Sequence, residues 1–228
     1  MTFPEVARAL RALSSTYVER RRTLTQGAAL ATRGKRAAFA LFYAPLHYLL
    51  IEHIVRSLPD AQNARTIIDL GCGTGAAGAA WAMNCVQPAA VVGLDRNAWA
   101  VSEAAETYRT LGLSGRAKRD RSALLRLPKA PVAVLAAFML NECADVERET
   151  VLERLVDRKQ GYVLIVEPIG GLVAPWWNRW RDRFLAAGGR ADQWRVRVEL
   201  PAIVAKLDHA AGLDHREITG RSLWKANA

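Results

Sequence analysis

Cysteine is scarce in this chain: 228 residues hold three, Cys72, Cys85 and Cys143, with none at C-x-x-C spacing. An odd, scattered set of this kind supplies neither a disulfide framework nor a zinc or iron-sulfur ligand group. Histidine is nearly as rare, and His47, His53, His209 and His215 are too dispersed to propose a ligand set, so no metal site is expected. Long apolar runs are also missing. The stretch Val132 to Leu140 falls well short of a bilayer span, and the Met-Thr-Phe-Pro-Glu start lacks the basic-then-apolar pattern of a secretory signal. No internal repeat or low-complexity segment occurs. The expectation is a soluble cytoplasmic protein without a membrane partner, its oligomeric state left open by the sequence.

What is present is a hydrophobic half, enough for a sizeable core, and a net charge of +10. The charge is unevenly placed. Residues 1–36 carry eight Lys/Arg against two Asp/Glu, and residues 171–198 carry six against two, while the remaining segments cancel. Positive charge concentrated in two segments favours a polyanion partner through counterion release, although a run such as Glu19-Arg20-Arg21-Arg22 also serves as an ordinary solvated helix face.

Apolar Val6, Ala9, Leu10, Leu13 and Tyr17 recur at helical spacing, and Lys35 to Leu58 reads as a second helical stretch kinked at Pro45. From Arg65 onward short β-rich runs alternate with helical ones. Strands are expected at 66–70, 91–95, 115–120, 132–138 and 162–167, with a last antiparallel strand over 217–225 at the sheet edge. This order implies an α/β fold, a Rossmann-like doubly wound and mostly parallel sheet, divided into an N-terminal helical extension (1–62) and a main domain (63–228).

Thr66 to Gly78 reads TIIDLGCGTGAAG. It contains G-x-G-x-x-G from Gly73, the dinucleotide fingerprint, and also D-L-G-C-G-T-G from Asp69. Both place backbone amides at a helix N-terminus beyond the carboxyl end of a strand. The neighbours separate them. Asp69, two residues before the first glycine, suits a ligand bearing an ammonium and a sulfonium and repels a pyrophosphate. The glycine run starts at Gly71, where a dinucleotide site would still have apolar strand residues. Asp120 closes the third strand, either as a turn aspartate or as acceptor from an adenine amino group. Asp95, ending the second strand, suits ribose hydroxyls in either cofactor class or caps the next helix.

Through TIIDLGCGTG, VVGLD, RD at the third strand and VLAAF at the fourth, residues 64–170 resemble the class I S-adenosylmethionine (SAM)-dependent methyltransferases. That resemblance implies SAM as cofactor, framed by Asp69, Gly71, Cys72, Gly73 and Gly75, with Asp95 on the ribose and Asp120 on the adenine. It also makes FMLNEC after the fourth strand the lip that faces the methyl group, so Asn141 and Glu142 become candidates to orient or deprotonate an acceptor, beside a capping role for the next helix. Cys143 is read as a buried structural thiol.

A narrower similarity runs through Leu13 to Tyr17, Ala37 to Pro45, FMLNEC and IVEP at the fifth strand, toward the methyltransferase-like family associated with the small subunit of bacterial-type and mitochondrial ribosomes. It implies methyl transfer to RNA, most plausibly small-subunit rRNA. Arg20, Arg21, Arg22, Lys35, Arg36, Arg179 and Arg183 would hold phosphates and Trp177 would stack on an unpaired base. The chain departs from the longer members, whose cysteine cluster after the fifth strand has no counterpart beyond Cys143. Two other readings stand beside it: a small-molecule methyltransferase with the N-terminal helices as a lid, and a SAM-binding, non-catalytic ribosome assembly factor.

Overall fold

Thr66–Leu70 is a short run of β-branched and apolar residues and forms β1, buried over its last four positions. The computed structural model describes residues 1–19, 30–120, 130–170 and 174–227, and among these seven strands form one sheet. They are β1, β2 (Ala90–Asp95), β3 (Gly115–Arg119), β4 (Ala133–Ala137), β5 (Gly161–Glu167), β6 (Arg190–Val196) and β7 (Ile218–Asn227), in the order β3-β2-β1-β4-β5-β7-β6. β1 to β5 are parallel, and β7 runs antiparallel to both β5 and β6. The last strand is therefore interior, and β6 takes the edge that the sequence reading gave to it.

Chain order reverses between β1 and β4, so the carboxyl ends of these two strands open a crevice at the switch point. Helices cover both faces. Ile67 belongs to one apolar cluster with α3 (Ala44–Ser57), α4 (Ala76–Met83) and α5 (Ala98–Thr110). Ile68 and Leu70 belong to the other, with α6 (Asp145–Val156) and α7 (Trp177–Ala186). The alternation follows from the two-residue period of a strand.

The described residues of 1–62 share the main core. α1 (Phe3–Glu19) buries Leu10 and Leu13 completely, and these pack in the same cluster as the sheet residue Ile67 and α8 (Ala202–Ala210). Arg11 also donates to the Ala210 carbonyl at 3.2 Å. Arg33–Ser57 is one continuous helix, long and apolar enough to cross a membrane by length and composition. Here its buried Phe42, Leu50, Ile51 and Ile54 join the sheet's core. It comprises α2 (Arg33–Ala38), a π turn over Phe39–Tyr43, and α3. Pro45 has no N–H for the carbonyl four residues back, and a widened turn absorbs the lost bond without breaking the helix.

Because α1 shares the sheet's core, Leu10→Ala is expected to lower the unfolding free energy by about 2–5 kcal/mol in one cooperative transition. Denaturant melts followed by tryptophan fluorescence check this, and separate melting of the N-terminal helices would contradict it.

Candidate cofactor and acceptor cleft

The loop after β1 turns through three left-handed glycines, Gly71 (φ 63°), Gly73 (φ 53°) and Gly75 (φ 78°). A Cβ on Gly71 would lie 2.6 Å from the Met139 side chain, so the lip after β4 closes directly on the loop. Gly71, Cys72 and Gly73 line a cleft of about 540 Å³ at the switch point. Gly75 does not line it. It caps α4 from beneath, where a Cβ would lie 2.8 Å from the Tyr108 ring.

Asp69 is 1% exposed, and its Oδ2 accepts from the Gly78 N–H at 3.0 Å. A Cβ at Gly78 would come 2.7 Å from that same oxygen, so the glycine of the dinucleotide match serves close helix-sheet approach. Burial pushes the Asp69 carboxyl up to about 7, against the Gly78 hydrogen bond, with nearby Asp95 adding to the rise. At the end of β2, Asp95 Oδ2 accepts from Gly73 N–H at 3.0 Å and Oδ1 from Asn97 N–H at 2.7 Å. Asn97, and not Asp95, caps α5. Asp120 N–H donates to the Asp95 carbonyl at 3.0 Å, which brings all three aspartates to one cleft.

On the opposite wall Asn141 and Glu142 stand in a single 3-10 turn, Leu140–Glu142. The Trp176 indole N–H donates to Asn141 Oδ1 at 3.0 Å. Since indole only donates, this fixes the amide orientation and directs Asn141 Nδ2 to Glu167 Oε2 at 2.5 Å. Glu167, at the end of β5, also accepts from Leu140 N–H at 3.0 Å. Burial pushes Glu167 up to about 8 and Glu142 up to about 7, the latter opposed by Arg96 at 3.9 Å. Cys143 is buried with its thiol pushed up to about 12, mainly by burial, as a structural residue would be.

The sequence reading passed over the aromatic side of the cleft. Phe39 and Tyr43 of the π turn, Tyr17 of α1 and Phe138 after β4 line it together with His47. Phe138 adopts φ 59°, a strained value for a side chain with Cβ, and its ring stacks on His47 at 4.1 Å. Burial holds the His47 imidazole down to about 4, hence neutral.

The residues expected to hold RNA are placed differently. Arg20, Arg21 and Arg22 lie outside the described residues. Lys35 is half-buried on α2, and Arg36 donates to the Leu30 carbonyl at 2.9 Å and lies 5.7 Å over the Trp99 ring. Trp177 is 5% exposed with the Arg221 guanidinium 4.3 Å over it, which leaves no free face for a base. α7 begins at Trp177, so the buried stripe is Trp177, Trp180 and Phe184, and Trp176 turns away to Asn141. Arg179 pairs with Glu149 and Arg183 with Glu153 at 3.8 Å. The other four arginines of 171–198, at 181, 190, 195 and 197, are likewise in ion pairs.

Asp69, Glu142 and Glu167 all bind protons more tightly folded than unfolded. Their contribution to stability is fully present below the ordinary carboxylate pKa of about 4 and is lost progressively as pH rises from there to about 8. The thermal midpoint of the ligand-free protein is expected to fall over that interval, less steeply in Asp69→Asn; scanning calorimetry across pH checks both.

Residues 67–158 match the sequence model of a family described as "Methyltransferase domain". No curated protein matches the chain. Among solved structures it is similar to an O-methyltransferase family protein from Burkholderia thailandensis, at 15% identity and TM-score 0.62, over 90% of this chain and 64% of that one. It thus spans less than two thirds of that protein. A magnesium protoporphyrin IX methyltransferase from Synechocystis with bound SAM aligns at 14% identity and TM-score 0.52, over 80% of each chain. A putative RNA methyltransferase from Pyrococcus horikoshii aligns at 14% identity and TM-score 0.51, over 79% of this chain and 84% of that one. The chain thus shares the fold of these methyltransferases, and its glycine loop with three aspartates, within the residues that match the methyltransferase domain model, stands at the switch point of that fold.

Proposed function

We propose that the protein transfers a methyl group from SAM to a small, mainly apolar acceptor bound in the switch-point cleft. One observation carries this reading: among the described residues, the cleft is walled by aromatic and aliphatic side chains and lined by seven Asp/Glu residues against one arginine, Arg96. Small-ligand sites have this apolar, concave character. A phosphate backbone meets the opposite field, since like charges in a partly desolvated site repel.

SAM supplies an electrophilic methyl group. Asp69 offers a carboxylate to the donor's ammonium, Asp95 and Asp120 offer acceptors to its ribose and adenine, and Gly71 leaves room for its methionine end. Asn141, its amide fixed by Trp176 and Glu167, retains one N–H and one carbonyl lone pair beyond those two contacts to orient an acceptor. Glu142, poised at about 7, takes the acceptor's proton. Positioning supplies much of the remaining acceleration.

Methyl transfer to small-subunit rRNA is the second reading, supported by the positive excess of residues 1–36. The basic segment 171–198 lends it less, because its six arginines are paired. Incubation with labelled SAM and either a low-molecular-weight cell extract or small ribosomal subunits separates the two. Label in the extract's organic-soluble fraction supports the small acceptor. Label in rRNA, with binding that weakens steeply as salt rises, overturns it.

Donor binding requires ionised Asp69, so the Kd for SAM is expected to rise toward tenfold per pH unit as pH falls below about 7. Calorimetry on Asp69→Asn should show weaker binding and a flat profile in that range. Glu142→Gln should keep SAM affinity and lose at least tenfold in kcat, with loss of the rate's fall through about pH 7.

A further inference from the structure

The aromatic wall is continuous and abuts the glycine loop. Tyr17 meets Tyr43 edge-on at 5.2 Å, Phe39 lies 6.2 Å from Tyr43, and the Phe39 ring would stand 3.3 Å from a Cβ on Gly73. His47 is held in this wall by rings alone, stacked on Phe138 with its planes 18° apart and edge-on to Phe39 at 5.9 Å. Among the described residues its imidazole has no hydrogen-bond partner, and it lines the cleft. His47 is partly open to the cleft, so its neutral ring offers a lone pair and an N–H to a ligand bound there. Glu142 and Glu167 supply further acceptors, with Arg96 the one guanidinium among the described residues that line the cleft.

We infer that the acceptor is an apolar amine whose hydrocarbon part lies among Tyr17, Phe39, Tyr43 and Phe138 and whose N–H groups face His47 and Glu142; this rests on the methyltransferase reading above. A phenolate or carboxylate acceptor would bring an anion beside two carboxyl groups and four ring faces, all of which disfavour it. An alcohol gains nothing from that field. An ammonium is attracted by the ring faces and the carboxylates while it binds, and gives a proton to the Glu142 carboxylate to become nucleophilic. The nitrogen lone pair then forms the N–C bond as the C–S bond breaks, its electron pair passing to sulfur to leave a thioether. The methylated nitrogen, again cationic, stays matched to the same walls until it leaves.

The test is binding to the protein loaded with S-adenosylhomocysteine, with phenethylamine, phenethyl alcohol and phenylacetate as probes of one shape and three charges. The amine is expected to bind at least tenfold more tightly than either of the others. Equal binding of the three, preference for the carboxylate, or failure of all three to bind overturns the inference. His47→Leu should weaken the amine at least fivefold with S-adenosylhomocysteine affinity unchanged, and His47→Asn should restore part of the loss. An unchanged amine affinity in His47→Leu removes His47 from the site. If S-adenosylhomocysteine itself does not bind, the methyltransferase reading fails first and takes this inference with it, a result distinct from a loaded protein that ignores amines.

Discussion

Asp69 has been taken out of water at the end of β1 with one N–H, that of Gly78, to hold it. That contact sets how near α4 can lie to the sheet, because the same oxygen occupies the space where any side chain on Gly78 would begin. It also leaves a desolvated carboxyl at the mouth of the loop whose charge is only half supported by the protein. The rest of the cleft is arranged around this deficit: Asp95 is tied by two backbone donors, Glu142 and Glu167 are raised by burial, and Arg96 is the one cationic side chain among the described lining residues. A cationic donor completes such a site and a dinucleotide does not.

The N-terminal helices finish what the sheet begins. A parallel sheet gives a crevice at its switch point but no roof, and here the roof is α1 and the π turn, fixed by the same apolar cluster that holds β1. The widened turn before Pro45 places Phe39 and Tyr43 side by side toward the loop, and the strained Phe138 answers from β4. Backbone irregularity at a proline and one unfavourable φ are thus concentrated where rings must face a ligand.

Much of the fold was legible because strands and helices are announced by local patterning. The strand at 66–70, the strand from 115 to within a residue of its expected end, and the aspartates that end β1 and β2 all follow from neighbours within a few residues, whereas at Pro45 a π turn keeps the helix continuous. Long-range pairing was not legible. Four of the six arginines of 171–198 looked free because Glu149, Glu153 and Glu217 lie about twenty or more residues away in sequence, while Arg181 and Arg190 pair locally with Asp182 and Asp192. Trp177 was expected to stack on a base because the guanidinium that covers it, that of Arg221, lies forty-four positions further on. His47 carried no mark as a cleft residue, since what makes it one is the ring of Phe138, ninety-one positions further on.

The interior position of β7 has a consequence for how the chain reaches this state. It is the last of the seven strands to be synthesised, yet β5 and β6 are joined only through it. Until Ile218–Asn227 emerges, a nascent chain presents β5 with one open edge and β6 with no partner at all. Closure is then a late, non-local event, and the interval before it is when an unpaired edge can recruit another chain. The last strand made is the one that shields its predecessors from aggregation.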